Sequence, residues 1–162
     1  MAIEYFLKLD NIPGESLSSK HQNEIELESF SWGASNPTSI TGSGLSAGKV
    51  SISDLSITKA VDKSSAKLLE LCCSGKHIAS GTLTCSKSIG DKNPVDYLTI
   101  KMEEIHISAV SASGSRGADI GYESISMSFA KFEFDYKIQD KDGTLKNAGT
   151  AKYDQTKRES SS

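Results

Sequence analysis

At 162 residues, with 36% hydrophobic and 24% charged side chains, the chain suits one globular domain with a substantial core. The formal net charge of −3 is small and the Lys and Arg residues are scattered. That argues against nucleic acid as a partner, because phosphate neutralisation needs clustered cations. Charges at Glu4, Lys8 and Asp10 exclude a secretory signal, and no run of about 18 apolar residues follows that would insert in a membrane. The expectation is a protein made and folded in the cytoplasm, exported, if at all, by a route that reads no N-terminal signal.

Strand patterns dominate. Ile3, Tyr5, Leu7 and Leu9 alternate with Glu4 and Lys8, with Phe6 interrupting the polar side, and predict a first strand. A turn at 11–14, containing Pro13 and Gly14, follows. The second strand is expected from about Glu24 to Trp32. Its apolar residues change parity part-way, from Ile25 and Leu27 to Phe30 and Trp32. Side chains alternate along a strand, so this moves the apolar set to the other face unless a residue bulges out. Trp32 reads as a core anchor. Ser31 lies between Phe30 and Trp32 and therefore faces the other way.

Residues 36–49 hold Gly42, Gly44 and Gly48 among Ser and Thr, and predict a long flexible connection suited to contacts with partners. Beyond it the parity change recurs. Val50 and Ile52 give way to Leu55 and Ile57, and Ile100 and Met102 to Ile105 and Ile107. Ile125, Met127 and Phe129 give way to Phe132, Phe134 and Tyr136. Long strands that each switch face call for a strongly bent sheet, either a closed barrel or a sandwich whose strands cross between layers. An outer face buried in an oligomer would leave the same pattern.

One helix is predicted after Asp62, taken as its N-cap. Ser65, Leu68, Leu69, Cys72 and Cys73 make a single stripe, Lys63, Lys67, Glu70 and Ser74 the opposite face, and Gly75 the stop. Strands follow near Ile78–Ser86, Val95–Val110, Glu123–Ile138 and 150–153, with a second Ser- and Gly-containing loop at 111–121. The division expected is a β domain over 1–154 and a polar tail over 155–162.

Cys72, Cys73 and Cys85 lack metal-ligand or CxxC spacing and read as small buried residues in a reducing compartment. Glu104 and His106 share a strand face and would form an acid/base pair or two metal ligands, but no third ligand stands near them in sequence. Glu103 and Glu104 are expected on opposite faces, a poor glycosidase pair. Gly42-Ser43-Gly44 lacks the residues of a phosphate loop, and no Gly-x-Ser-x-Gly elbow occurs. No catalytic, cofactor or metal site is expected, so the chain does not read as an enzyme. A monomeric barrel binding a small apolar ligand is an alternative.

An ordered set of short motifs carries the functional reading. It comprises Gly14-Glu15-Ser16, His21, Glu24-Ile25, Trp32-Gly33, Ala47-Gly48-Lys49-Val50, Asp54-Leu55-Ser56-Ile57-Thr58-Lys59 and Asp62-Lys63-Ser64. Ser74-Gly75-Lys76-His77, Tyr97-Leu98 and Ser128-Phe129-Ala130 complete it. In this order, over residues 2–153, the chain resembles the Hcp family, the tube proteins of bacterial type VI secretion. The resemblance implies a bent two-sheet β-barrel with one helix packed alongside, forming a homohexameric ring. Rings of stacked copies would make the inner tube, inside a contractile sheath and capped by a VgrG spike, expelled with effectors that some members chaperone. It also implies secretion through the apparatus without a signal peptide, no membrane insertion, and no fused effector domain. Ser31 becomes the candidate lumen- or cargo-facing residue. Thr41, Gly42, Ser43, Gly44, Leu45 and Ser46, within the family's extended loop, become the candidate inter-subunit or inter-ring contact. A tail-tube protein of a phage-like particle would follow the same logic.

Overall fold

The structure is a computed structural model and describes residues 2–88 and 93–157. Among them the strands are β1 (Ile3–Leu9), β2 (Ile25–Leu27), β3 (Ser29–Ser31), β4 (Ala34–Ser35), β5 (Thr38–Thr41), β6 (Gly44–Ala47), β7 (Ser51–Ile52) and β8 (Leu55–Ala60). Helix α1 (Ser65–Ser74) then leads to β9 (Ile78–Lys87), β10 (Val95–Ser113), β11 (Tyr122–Gln139) and β12 (Leu145–Asp154). Eight strands form one sheet in the order β2-β1-β9-β10-β11-β8-β3, with β12 on β11. The long β11 pairs with β8 through its first half and with β12 through its second.

The end strands of that sheet, β2 and β3, are successive pieces of one segment. They part at Glu28, whose N–H donates to the Thr58 carbonyl at 2.7 Å. The first piece pairs with β1 and the second with β8. The sheet therefore curls until its ends meet through the covalent chain, while the path of ladders stays open there. The expected bent, mainly β fold with one helix forms, and its two layers are two sides of one curled sheet. The parity change at 27–30 is this break.

The change at 52–55 falls between β7 and β8, whereas those in β10 and β11 fall at a single level, shared with β9. Ile78, Ile105 and Phe129 are cross-strand partners with buried side chains, and so are Gly81, Met102 and Phe132, the last half-buried. Between these rows each strand has two residues instead of the one that strict alternation allows. Ala79 and Ser80, Glu103 and Glu104, and Lys131 are all exposed, with Ala130 half-buried. Glu103 and Glu104 thus share the outer side at this crease and do not point to opposite faces. Glu104 accommodates the fold-over with φ 53°, in the left-handed region. Gly81 lies in the fold, where a Cβ would meet Leu9 Cδ2 at 2.7 Å and Ile105 Cδ1 at 2.8 Å. The core, with Leu7, Ile25, Leu83, Ile100, Ile105 and Met127 at 0–1% exposure, fills the inside of the curl on both sides of the crease. Trp32 is half-buried against it, 4.8 Å from Phe132 between ring centroids, with no hydrogen-bond partner for its indole N–H among the described residues.

Helix α1 lies against β10, rotated from its expected stripe. Leu68 and Leu71 are buried, whereas Leu69 is 52% exposed and Cys73 is exposed. Ser64 is the N-cap and Asp62 stands before it, accepting the Ser64 N–H at 2.9 Å. The rotation follows from a buried polar cluster beneath the first turn. Lys59 of β8 is fully buried and pairs with Asp62 at 2.9 Å and with its cross-strand partner Glu123. Ser65 donates to Glu123 at 2.6 Å, which pins the helix start over β11. Gly75, at φ 71°, closes the helix with its N–H on the Leu71 carbonyl. Of the cysteines, Cys85 alone is buried, and burial pushes its thiol up to about 12. Cys72 is partly covered.

Residues 36–49, expected as an unstructured connection, form an antiparallel hairpin, β5 with β6. The tail expected at 155–162 begins with Gln155 tied to the sheet, its N–H donating to the Ala130 carbonyl at 2.7 Å. Residues 158–162 lie outside the described residues. The strain at Glu104 is testable. Left-handed geometry costs a non-glycine residue about 1–2 kcal/mol, and more when the residue is β-branched. Glu104→Ile should therefore lower the unfolding free energy in urea, while Glu104→Gly should leave it unchanged or raise it. Equal effects of the two would remove the strain assignment.

Candidate functional site

The hairpin is the head of a longer arm. At its base Ser53 N–H donates to the Gly33 carbonyl at 2.8 Å, and Gly33 N–H donates to Ser53 Oγ at 2.9 Å. β4 pairs with β7 above this clasp, then Gly48 N–H donates to the Pro37 carbonyl at 2.6 Å, then β5 pairs with β6. A two-residue turn, Gly42-Ser43, connects Thr41 to Gly44, and Gly44 has φ 122°. Ile40 and Leu45 stand opposite each other near the tip, 82% and 74% exposed. Ser39 and Ser46 hydroxyls bond at 2.8 Å. Six candidate residues, Thr41 to Ser46, thus run from the last residue of β5 through the turn into β6. Ile40 completes the apolar tip and was not singled out from sequence. A Gly-Ser pair flanked by Ile40-Thr41 and Gly44-Leu45 is a hairpin signal, but Ser and Gly content reads as a loop.

Ser31 lies on the outer face of β3, exposed. Its cross-strand neighbours are of the same kind. One row runs Ser31–Ser56–Ser126–Ala109 and the next Ser29–Thr58–Ser124–Ser111 across β3, β8, β11 and β10. Ser56 and Ser126 hydroxyls are 3.3 Å apart. Core residues Ile57, Ile125 and Met127 alternate with these rows and face inward, as does the half-buried Phe30.

His21 closes the loop of residues 14–24 over β1. The loop holds itself with Gly14 N–H on the Asn23 carbonyl at 2.7 Å and Asn23 N–H on the Ser16 carbonyl at 2.9 Å. A Cβ on Gly14 would stand 2.5 Å from Ile25 Cα. The His21 ring stacks on Phe6 at 4.4 Å and 13° and is 7% exposed. Its Nδ1 meets Glu24 at 2.7 Å and its Nε2 meets Asp96 at 2.9 Å. A neutral imidazole has one N–H and would satisfy one of these carboxylates, whereas the imidazolium donates to both. Burial works against the charge, but the hydrogen bonds and charges of Asp96 and Glu24 outweigh it and raise the pKa above 6.5.

His77, after the helix, brings its Nδ1 within 3.6 Å of Glu104, and its ring lies 5.7 Å from that of His106. His77 and Glu104 are more than half exposed, so the pair contributes little. His106 Nδ1 is buried without a hydrogen-bond partner among the described residues. Among those residues no three or more His, Cys, Asp and Glu side chains are grouped to hold a metal ion, and no helix is long and apolar enough to cross a membrane.

The sequence pattern of the family described as "Type VI secretion system effector, Hcp" matches residues 6–136. Hcp1 of Pseudomonas aeruginosa is 40% identical over 154 residues, covering 94% of each chain. A solved type six secretion system protein superposes with a TM-score of 0.91 at 28% identity, covering 99% of this chain and 100% of that one. The crystal structure of Hcp1 from Salmonella typhimurium gives 0.77 at 32% identity, with the same coverage.

The His21 clamp makes stability depend on pH. Its folded pKa is raised, so the contribution is fully present below the unfolded value near 6.5 and is lost as pH rises through the folded value. Urea unfolding should show stability falling over that window in the native chain, and a flatter profile in His21→Gln. An unchanged slope in the variant would remove His21 as its source.

Proposed function

Because the chain belongs to the Hcp family of type VI secretion proteins, we propose that it is the structural subunit of the secretion tube. Six copies close a ring, rings stack, and the tube, held within a contractile sheath and capped by a VgrG spike, is expelled with effectors it carries or chaperones. The family is one of type VI secretion proteins, and an exposed apolar arm supports a role in assembly.

One observation carries the reading: Ile40 and Leu45 stand in water at the end of an arm clasped at Gly33 and Ser53. Apolar area left exposed forgoes about 25 cal/mol per Å². A neighbouring copy would recover that free energy by covering the tip. A ring also needs two different patches on each subunit, since a head-to-tail contact joins unlike surfaces. Tyr136 and Ile138, 41% and 44% exposed on β11, offer apolar area on a separate element. The interior of the curl is filled by side chains, which favours an assembling subunit over a barrel that holds a small ligand. The matched family and one of the superposed structures are named for type VI secretion, which favours that setting over a phage-like tail tube. Ser31, on an outward hydroxyl face, would line the bore and meet cargo.

Light scattering of the purified chain should give about six times the subunit mass, the closed ring of a cyclic homo-oligomer. Single subunits at every concentration and salt would end the proposal. Ile40→Ser with Leu45→Ser should keep the subunit folded and reduce stacked tubes seen by electron microscopy; tubes of normal length and number would take the arm tip out of the contact. Ser31→Gln should alter cargo retention and leave the mass of the ring unchanged. Loss of the ring would instead place Ser31 in a subunit interface.

A further inference from the structure

The geometry points to a binding site for a divalent transition-metal ion of the zinc or copper kind, held between His77 and His106 on the outer side of the crease. Ile78 pairs with Ile105 in the β9–β10 ladder, so the next positions, His77 and His106, stand opposite each other. Both alternate with buried isoleucines and therefore project outward on one face. The two rings meet edge to face, with 5.7 Å between centroids. One ion held by two imidazole nitrogens at the usual bond lengths sets ring centres about 5–6 Å apart. His77 is more than half exposed, so its ring can turn a nitrogen toward a shared ion without moving the backbone. The chain that delivers it is fixed: Gly75 closes α1, and the Lys76 N–H donates to Ser74 Oγ at 3.3 Å.

Two further observations point to a ligand and not to a ring contact alone. First, His106 Nδ1 is buried with no hydrogen-bond partner among the described residues. Whichever ring nitrogen carries the proton, Nδ1 is left as an unsatisfied lone pair or an unsatisfied N–H, and a buried polar atom without a partner is unfavourable. Phe or Tyr would make the same edge contact without that penalty. A metal ion takes such a lone pair directly, and imidazole nitrogens suit the late divalent ions. Second, Glu104 has φ 53° and its carboxylate lies 3.6 Å from His77 Nδ1. The strained backbone of the crease thus leaves a carboxylate behind the imidazole. A carboxylate beside Nδ1 holds the ring's proton there and leaves Nε2 free to ligate, the pairing by which proteins orient metal-binding histidines. With two protein ligands the ion keeps water in its remaining positions. Occupancy ties the chain leaving α1 to β10 where the β9–β10 ladder ends. The site does not depend on the tube reading, since both histidines belong to one subunit.

The test uses the full chain without a purification tag, freed of metal with a chelator. The probe is zinc chloride alone, titrated by calorimetry slightly above neutral pH, where ordinary imidazole is mostly neutral. One ion should bind per subunit. His77→Ala and His106→Gln should each weaken binding by at least about tenfold, the loss that removing even a partner of a ligand causes. Glu104→Gln, which keeps both ligands, should weaken it less and leave the stoichiometry unchanged. His21→Gln, which removes the remaining histidine, should not alter it. Zinc should also raise the midpoint of thermal unfolding of the native chain and leave that of His77→Ala where it was. His77 is exposed, so its variant keeps the fold and decides the matter should His106→Gln unfold. No binding to the native chain, equal affinity in the native chain and His77→Ala, or a loss confined to His21→Gln would overturn the proposal. Unchanged affinity in Glu104→Gln would take the carboxylate out of the site.

Discussion

The whole molecule depends on one steric constraint, the requirement that three adjacent strands turn their apolar sides over at the same level. Ile78, Ile105 and Phe129 form the last inward row before the crease, and Gly81, Met102 and Phe132 the first after it. Inverting one strand alone would put its apolar residues opposite its neighbours' polar ones, leaving polar groups in the core. Inverting all three together folds the sheet. The fold requires close approach on the inside, which Gly81 permits, and an unusual backbone on the outside, which Glu104 adopts.

Two polar clusters fix what the crease leaves free. Lys59, Asp62 and Glu123 lie beneath the first turn of α1, where a buried charge without partners would be strongly unfavourable. Satisfying them, together with the Ser65 hydroxyl, sets the rotation of the helix about its axis. His21 does the same for the loop over Phe6, since its two carboxylate partners come from the loop itself and from β10. In each case a hydrogen-bonded charge decides orientation that apolar contact alone would leave loose.

The surface divides along the crease. On one side β10 and β11 present alternating charges, and on the other mainly serines, with Ala109 and the exposed Tyr122 among them. The arm from Gly33 to Ser53 leaves the sheet after β3, the strand that also bears Ser31. The exposed apolar tip and the hydroxyl rows therefore originate from neighbouring stretches of one segment.

Much of this was legible in the chain itself. Alternation marked the strands, and its interruptions at 27–30, 102–105 and 129–132 marked where they bend, because side-chain direction along a strand is a local property. Gly75 gave the helix end for the same reason. Only the tertiary structure decided that the interruptions align, since alignment belongs to register between strands distant in sequence. It also decided the partners of Lys59 and His21, the latter bonded to Asp96 across 75 positions, and with Lys59 the rotation of the helix. The arm was misread because its Ser and Gly content conceals a two-residue turn. Spacing along a chain reports which way a side chain points; what it points at depends on contacts that form only when distant segments meet.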